Sequence, residues 1–303
     1  MSKPNTGRRL NDQTAAGWLL AAPAMLGLVL FILLPFLVAL GMAFSNLRLG
    51  SPLPLEFVGI KQFQRIFADP DFLRALANNL LFAAMVVPLQ TLLALGLALL
   101  LNQGLRGTVF FRTLFFMPVV FPMSLIAVVW VLIYAPGPNG MMNGFLDLIT
   151  LGAWEPRDFL RDPLLAMPAL MLLSVWQGAG FQMVILLAGL QQIPRDLYEA
   201  ASLDGAGSWN RFRYVTLPQL RNPLIFVVMI TTILSFRLFD QVQIMTRGGP
   251  NGATTTVMYE AVQAVFTRQQ VARASAMTVV FFLLVLLVTW VQRRLARQER
   301  EVA

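Results

Sequence analysis

No cysteine and no histidine occur anywhere in the 303 residues. Their absence removes disulfides, thiolate nucleophiles, imidazole bases and the usual zinc ligands together. Lysine is nearly absent as well, with only Lys3 and Lys61. Lys61 stands in Gly59-Ile60-Lys61-Gln62, so the Gly-Lys-Ser/Thr that closes a phosphate-binding loop is missing. Energy from ATP would have to come from another polypeptide. Charge is scarce too: 13% of residues are charged and 57% hydrophobic, against about 25% and roughly 45–50% in soluble domains. So little charge cannot cover a globular surface of this size. The formal charge of +8 is read as arginine at cytoplasmic ends of membrane helices, not as a nucleic-acid footprint.

What the chain does have is long apolar runs. A helix needs about 20 mostly apolar residues to cross the hydrocarbon layer. Six such spans can be drawn, at about 16–44, 76–101, 110–134, 165–190, 222–245 and 274–292. They form one transmembrane domain over 1–303, with no internal repeat and no linker to a second domain. The first run is too long for a cleaved signal and is read as an uncleaved span. With the N-terminus inside, the inside segments hold 13 Lys and Arg residues and the longer outside loops hold 9. Both termini are therefore expected in the cytoplasm. Pro88, Pro118, Pro122 and Pro168 fall within spans, where each removes a backbone donor and favours a kink.

The most informative stretch is the segment 191–221 between the fourth and fifth spans. Pro194 can open a helix, with Asp196 and Glu199 placing negative charge near its positive end. Ala200 and Ala201 are strong helix formers with little bulk, and Gly205 tolerates the left-handed conformation that ends a helix. Ser208 is placed to cap a second helix, and Pro218 stops it or bends the chain toward the next span. The expected product is a compact helical elbow on the cytoplasmic face, open to close approach by another protein.

This stretch resembles the signature of permeases from ABC importers: Glu-Ala-Ala, three residues, Gly, nine residues, Ile, one residue, Leu-Pro. Glu199, Ala200, Ala201, Gly205, Leu217 and Pro218 fall in register, with Val215 in the isoleucine position. Phe239-Asp240, Thr246–Asn251 and Ala253–Thr256 resemble the end of the fifth span in sugar-uptake permeases of the maltose and glycerol-3-phosphate type. Phe57-Val58-Gly59-Ile60 with Phe63 resembles their first outside loop. The likeness covers about 16–292. It implies an all-α, six-span bundle of the type I importer kind in a bacterial or archaeal inner membrane. It also implies work alongside a second, different permease chain, two ATPase subunits and an external solute-binding protein. ATP and Mg would sit on the ATPases, with no cofactor on this chain. The helix at 197–204, including Asp204, would dock in a groove of the ATPase. Its movement would swing the spans between inward-open and outward-open states.

Ser174, Gln177, Gly178 and Phe181 follow i, i+3, i+4, i+7 spacing and share one helical face. Thr231 and Ser235 share another. Their amides and hydroxyls suit sugar hydroxyls, and the resemblance implies that these helical positions contact sugar. The alternative is hydrogen bonding between helices. Arg237 and Asp240 stand three apart and read either as a local ion pair near the outer mouth or as an arginine facing an anionic substrate. Gly248-Gly249-Pro250-Asn251 is expected as an external turn near the binding protein. The basic tail 293–300 is expected near anionic membrane lipid. Three competitors remain: an importer of amino acids or peptides, an ion-coupled transporter, and an intramembrane enzyme. The last two lack a poised intramembrane acid and catalytic groups, respectively.

Overall fold

The computed structural model describes residues 6–104 and 106–301, with side chains over 17–104 and 106–296. Lys3 and the side chains of Arg8, Arg9, Arg297 and Arg300, all expected at the basic ends, lie outside these ranges. The described chain is all helical, and its only extended pairing is an isolated bridge between Ser45 and Phe57. Four helices are long and apolar enough to span a bilayer: α1 (Gly17–Met42), α3 (Pro70–Leu101), α7 (Ala166–Gln191) and α12 (Val271–Ala296). A short helix, α2 (Lys61–Phe67), precedes α3. Two bent pairs supply up to two more spans: α4 (Thr108–Val120) with α5 (Met123–Ile133), and α9 (Ser208–Gln219) with α10 (Arg221–Phe236). The short helices α6 (Met141–Ile149), α8 (Arg195–Leu203) and α11 (Val257–Phe266) complete the chain.

Burial is inverted relative to a water-soluble protein. The most apolar stretch of α1 buries none of its residues, and Leu20 and Phe31 are both more than 80% exposed. Large apolar side chains facing outward at that density require hydrocarbon as the solvent.

Each proline acts according to its place. Pro70 opens α3 at a position whose N–H needs no partner, and the Asp69 side chain accepts a hydrogen bond from the Asp71 N–H at 3.0 Å. Pro168 lies in the first turn of α7, where the missing donor likewise breaks no bond. Pro88 is accommodated inside a continuous α3. Pro122 does more than kink its span. It forces Phe121 into an extended conformation (φ −84°, ψ 142°), and α5 leaves α4 at 101°. The fifth span is also interrupted: α10 ends at Phe236, 237–239 are not helical, and the helix resumes at 240 and runs into a π-helical turn at Val242–Thr246. In the gap, the Leu238 carbonyl accepts from the Thr256 hydroxyl at 2.9 Å instead of from a helical N–H.

Helices α3 and α7 form the central pair and bury two apolar clusters along their seam. One joins Phe82 and Val86 to Met167, Leu170 and Leu173, together with Trp130 and Tyr134 of the third span. The other joins Ala94, Ala98 and Leu101 to Met183, Leu186, Leu187 and Leu190, with Ile193 and Leu220 beyond. A third cluster packs Ala43, Phe72 and Ala75 against Ala274, Ala276 and Met277 of α12. The second cluster continues directly into the segment 191–221, so that segment stands on the core of the bundle.

Candidate functional site: a helical knob, a polar layer and a pinned loop

The knob begins where α7 ends. Pro194 takes the N-cap position of α8, and Asp196 lies in the first turn. The far end closes in a Schellman motif. The Gly205 N–H reaches the Ser202 carbonyl at 3.1 Å, the Ala206 N–H reaches Ala201 at 2.9 Å, and Gly205 sits at φ +76°. The cap of α9 differs from the expected one. Gly207 holds the N-cap position without a side-chain bond, and Ser208 is the first helical residue. The Ser208 hydroxyl instead accepts from Arg211 Nη2 at 3.5 Å, because Gly207 already supplies the extended φ/ψ a cap needs. The chain then bends by 67° just after Pro218.

Three polar contacts lock the elbow. Arg211 Nη1 donates to Ser202 Oγ at 3.1 Å across the two helices, and Ser202 Oγ donates to the Tyr198 carbonyl at 2.7 Å. Tyr198 Oη and Thr216 Oγ1 lie 3.0 Å apart, with Thr216 buried. Tyr198 and Val215 also pack onto the apolar cluster at the foot of α7. The outer surface is left open: Glu199, Ala200, Asp204 and Gly205 are exposed, Leu203 is 90% exposed, and Trp209 is 68% exposed. An apolar Leu203 beside acidic groups on a rigid support suits a protein partner. Tyr198→Phe should lower the stability of the knob by about 0.5–1.5 kcal/mol, the usual worth of one hydrogen bond. Proteolysis of the segment 191–221 in membranes would measure it; cleavage at the wild-type rate would show that the Tyr198–Thr216 contact adds nothing.

Inside the bundle, polar side chains of the fourth and fifth spans meet at the candidate faces. Ser174 is buried, donating to the Leu170 carbonyl at 2.9 Å and accepting from Gln241 Nε2 at 3.1 Å. Thr231 accepts from Gln182 Nε2 and donates to the Val227 carbonyl at 2.6 Å, while Ser235 donates to the Thr232 carbonyl at 2.8 Å. Thr231 thus ties α10 to α7 in this conformation, while Ser235 bonds only within its own helix. Gln177 and Gly178 are half-buried, and Phe181 is 37% exposed. Arg237 and Asp240 are both exposed and make no ion pair with each other among the described residues, which corrects the local-pair expectation. The cause is the break after Phe236: with no continuous helix across 237–240, a spacing of three no longer puts two side chains on one face.

At the end of the bundle away from the knob, the loop 246–256 is fastened by side chains that the sequence did not single out. Asn78 Nδ2 donates to the carbonyls of Gly252 (3.0 Å) and Thr255 (2.9 Å), and Asn79 Oδ1 accepts from the Val257 N–H at 2.9 Å. Thr254 Oγ1 lies 2.7 Å from both Thr246 Oγ1 and the Gly249 carbonyl. Gly248, at φ +80°, lies against the Tyr259 ring, so a side chain there would meet both strain and a clash. A cavity of about 570 Å³ opens beside the loop, lined by Arg74, Arg247, Tyr259, Glu260 and Arg268. Glu260 is held by Arg268 at 3.2 Å and by the Thr255 hydroxyl at 2.9 Å. Burial, then the neighbouring Glu260 charge, pushes the Tyr259 hydroxyl above its ordinary pKa, so it remains a neutral donor. Among the described residues, no group of acidic side chains could hold a metal ion.

Lipid-facing helices enclosing a polar layer, with a rigid knob at one end and a pinned loop at the other, define a multi-pass membrane transport component. Residues 90–301 match the family described as binding-protein-dependent transport system inner membrane component. The trehalose/maltose transport system permease of Thermococcus litoralis is 33% identical over 94% of this chain and 95% of its own length. The diacetylchitobiose uptake permease of Streptomyces coelicolor is 36% identical, covering 83% of this chain and 74% of its own. The sn-glycerol-3-phosphate permease of Pectobacterium atrosepticum is 30% identical over 93% and 94%. In fold, the chain is similar to the crystal structure of a bacterial ABC transporter involved in the import of the acidic polysaccharide alginate. That match has a TM-score of 0.80 at 22% identity over 96% of this chain and 99% of that one. The chain therefore belongs to the family of binding-protein-dependent transport system inner membrane components, which are transport subunits and not enzymes.

Proposed function

We propose that this chain is the permease subunit of an ATP-driven importer that carries a carbohydrate across the inner membrane into the cytoplasm. The observation that carries this reading is the exposed helix α8, clamped through Tyr198, Ser202 and Arg211 to the core of α7. Glu199, Ala200, Ala201, Asp204 and Gly205 form the surface that docks in an ATPase groove, and Leu217 and Pro218 turn the chain back into the bundle. A stiff connection of this kind transmits displacement into the spans, which a mobile loop would absorb.

The partners follow from that role. Two ATPase subunits bind ATP and Mg, a second and different permease chain completes the pathway, and an external binding protein delivers solute to the end bearing the 246–256 loop. A relative in fold was crystallised in complex with an alginate pentasaccharide-bound periplasmic protein, which supports such a delivery step. Both termini lie in the cytoplasm, following the arginine distribution. Ser174, Gln177, Gly178, Phe181, Thr231 and Ser235 line or border the substrate path, with Arg237 near its mouth. The sugars named for the relatives favour a carbohydrate over an amino acid or peptide.

The test is ATP-dependent uptake by the whole transporter in proteoliposomes. The panel holds radiolabelled trehalose, maltose, lactose, diacetylchitobiose, sn-glycerol 3-phosphate and mixed amino acids. Uptake of a member of the carbohydrate set is expected. Uptake of amino acids alone would overturn the reading.

A further inference from the structure

We propose that Gln90 is a further substrate-contacting residue, and that the layer it belongs to selects neutral polyhydroxylated solutes over anionic ones; this rests on the carbohydrate reading above. The α3–α7 seam is apolar at both ends, with Phe82, Val86, Leu170 and Leu173 on one side and Ala94, Ala98, Met183 and Leu186 on the other. Between the two clusters stand Gln90 and Thr91 of α3 and Ser174, Gln177, Gly178 and Gln182 of α7. Gly178 is the thirteenth of 26 residues in α7, which places the layer near mid-bilayer.

That layer has unfilled hydrogen-bonding capacity. Gln90 is only 6% exposed and has no hydrogen-bond partner among the described residues. Thr91 Oγ1 and Gln182 Oε1 are buried without partners. Buried amides and hydroxyls in hydrocarbon are normally paired. Here, donors and acceptors lie idle on two facing helices around one glycine.

The geometry also shows what Gly178 accommodates. A Cβ on Gly178 would stand 2.1 Å from Gln90 Nε2 and 2.8 Å from Gln90 Cδ. The Gln90 carboxamide thus rests on the bare backbone of α7, in the space beside the Ser174–Gln177–Phe181 face. Its rotation away from α7 vacates that space and turns an unpaired donor and acceptor toward an incoming hydroxyl. In this conformation, Gln90 closes the layer; with substrate, it becomes a ligand of it.

The solute class follows from charge. No Asp, Glu, Lys or Arg occurs at 75–101 of α3, at 166–191 of α7 or at 222–236 of α10. An anion crossing this layer would find no counter-charge on these three helices, and an unpaired charge there is costly. A neutral sugar brings hydroxyls that both donate and accept, as amides do.

The experiment uses the complete transporter in proteoliposomes, with maltose, trehalose, lactose and diacetylchitobiose as neutral probes and sn-glycerol 3-phosphate as the anionic one. Wild type is expected to import at least one neutral probe and not the anionic one. Gln90→Leu, of similar volume, should cut uptake at saturating sugar about tenfold, with membrane level and sugar-free ATPase rate held within about twofold. Gln90→Asn should retain more uptake than the leucine variant. If the leucine variant is absent from the membrane, Gln90→Met decides by the same criteria. Wild-type uptake in either apolar variant, or loss of both from the membrane, would assign Gln90 to packing and overturn the proposal. Import of sn-glycerol 3-phosphate alone would overturn the neutral class while leaving the carbohydrate reading intact. Import of no probe by wild type would overturn the carbohydrate reading, and the Gln90 proposal with it.

Discussion

Glu199→Lys is expected to reduce ATP-driven uptake by about 30-fold or more while leaving the chain in the membrane at its normal level. Glu199 is exposed on α8, its side chain makes no hydrogen bond or ion pair among the described residues, and its neighbours Ala200 and Ala201 have almost no bulk. Reversing its charge costs the fold little. On the docking proposed above, it places a cation where the ATPase groove would meet an anion, and disrupting a desolvated charged contact costs about 2–5 kcal/mol. Gly205→Val tests the same device through the backbone. A Cβ at Gly205 meets nothing within 4 Å, so the penalty is the φ of +76° alone. Holding a β-branched residue there costs of order 1–3 kcal/mol and opens the Schellman closure that fixes the angle between α8 and α9. Gly205→Asn should be milder, since asparagine enters the left-handed region readily. Uptake and ATPase rates in proteoliposomes, read beside membrane level, separate uncoupling from misfolding. Full transport by the lysine and valine variants alike would remove the knob from the mechanism.

The parts of this molecule that could be read in the sequence are those governed by local chemistry. Apolar runs announce spans because only length and hydropathy decide insertion. The all-helical fold follows from them, since a lipid-facing backbone must satisfy itself. Pro194, Asp196 and Gly205 mark the ends of α8 by rules that act within a few residues. Features set by distant partners stayed hidden. Asn78 and Asn79 look like incidental polar residues at the start of an apolar run, yet they fasten a loop more than 170 residues away. The interruption after Phe236 carries no glycine or proline at 237–239 to reveal it; it depends on Thr256 capturing the Leu238 carbonyl. Gly178 was legible as a small residue on a polar face. That the space it leaves is filled by Gln90 depends on how α3 and α7 cross. Pro122 was legible as a disturbance, but not as a turn of 101°, because the angle is set by what α5 packs against.

Gly180→Ala is expected to deplete the chain from the membrane, whereas Gly96→Ala in α3 should leave it unchanged. Both glycines lie inside long helices, where alanine is intrinsically better by about 1 kcal/mol. Propensity alone predicts that both substitutions stabilise. Packing separates them. Nothing stands within 4 Å of a Cβ built on Gly96. A Cβ on Gly180 would stand 2.0 Å from the Phe115 carbonyl oxygen, 2.8 Å from its carbon and 3.0 Å from Phe116 Cα. These are backbone atoms of α4, which no rotamer change can move, so α4 must shift bodily from α7. Small residues serve close helix approach in bilayers for this reason, where association rests on packing and not on a hydrophobic drive. Overpacking costs about 1–3 kcal/mol in water-soluble cores, and a rigid backbone contact belongs at the upper end. Because α4 leads into the 101° turn at Pro122, displacing it also disturbs the Trp130–Tyr134 packing on α7. Detergent-solubilised chain resolved by size-exclusion chromatography should show the Gly180→Ala peak reduced about fivefold or more, with the Gly96→Ala peak at wild-type height. Equal peaks for both variants would mean that α4 and α7 do not approach as closely as these distances require.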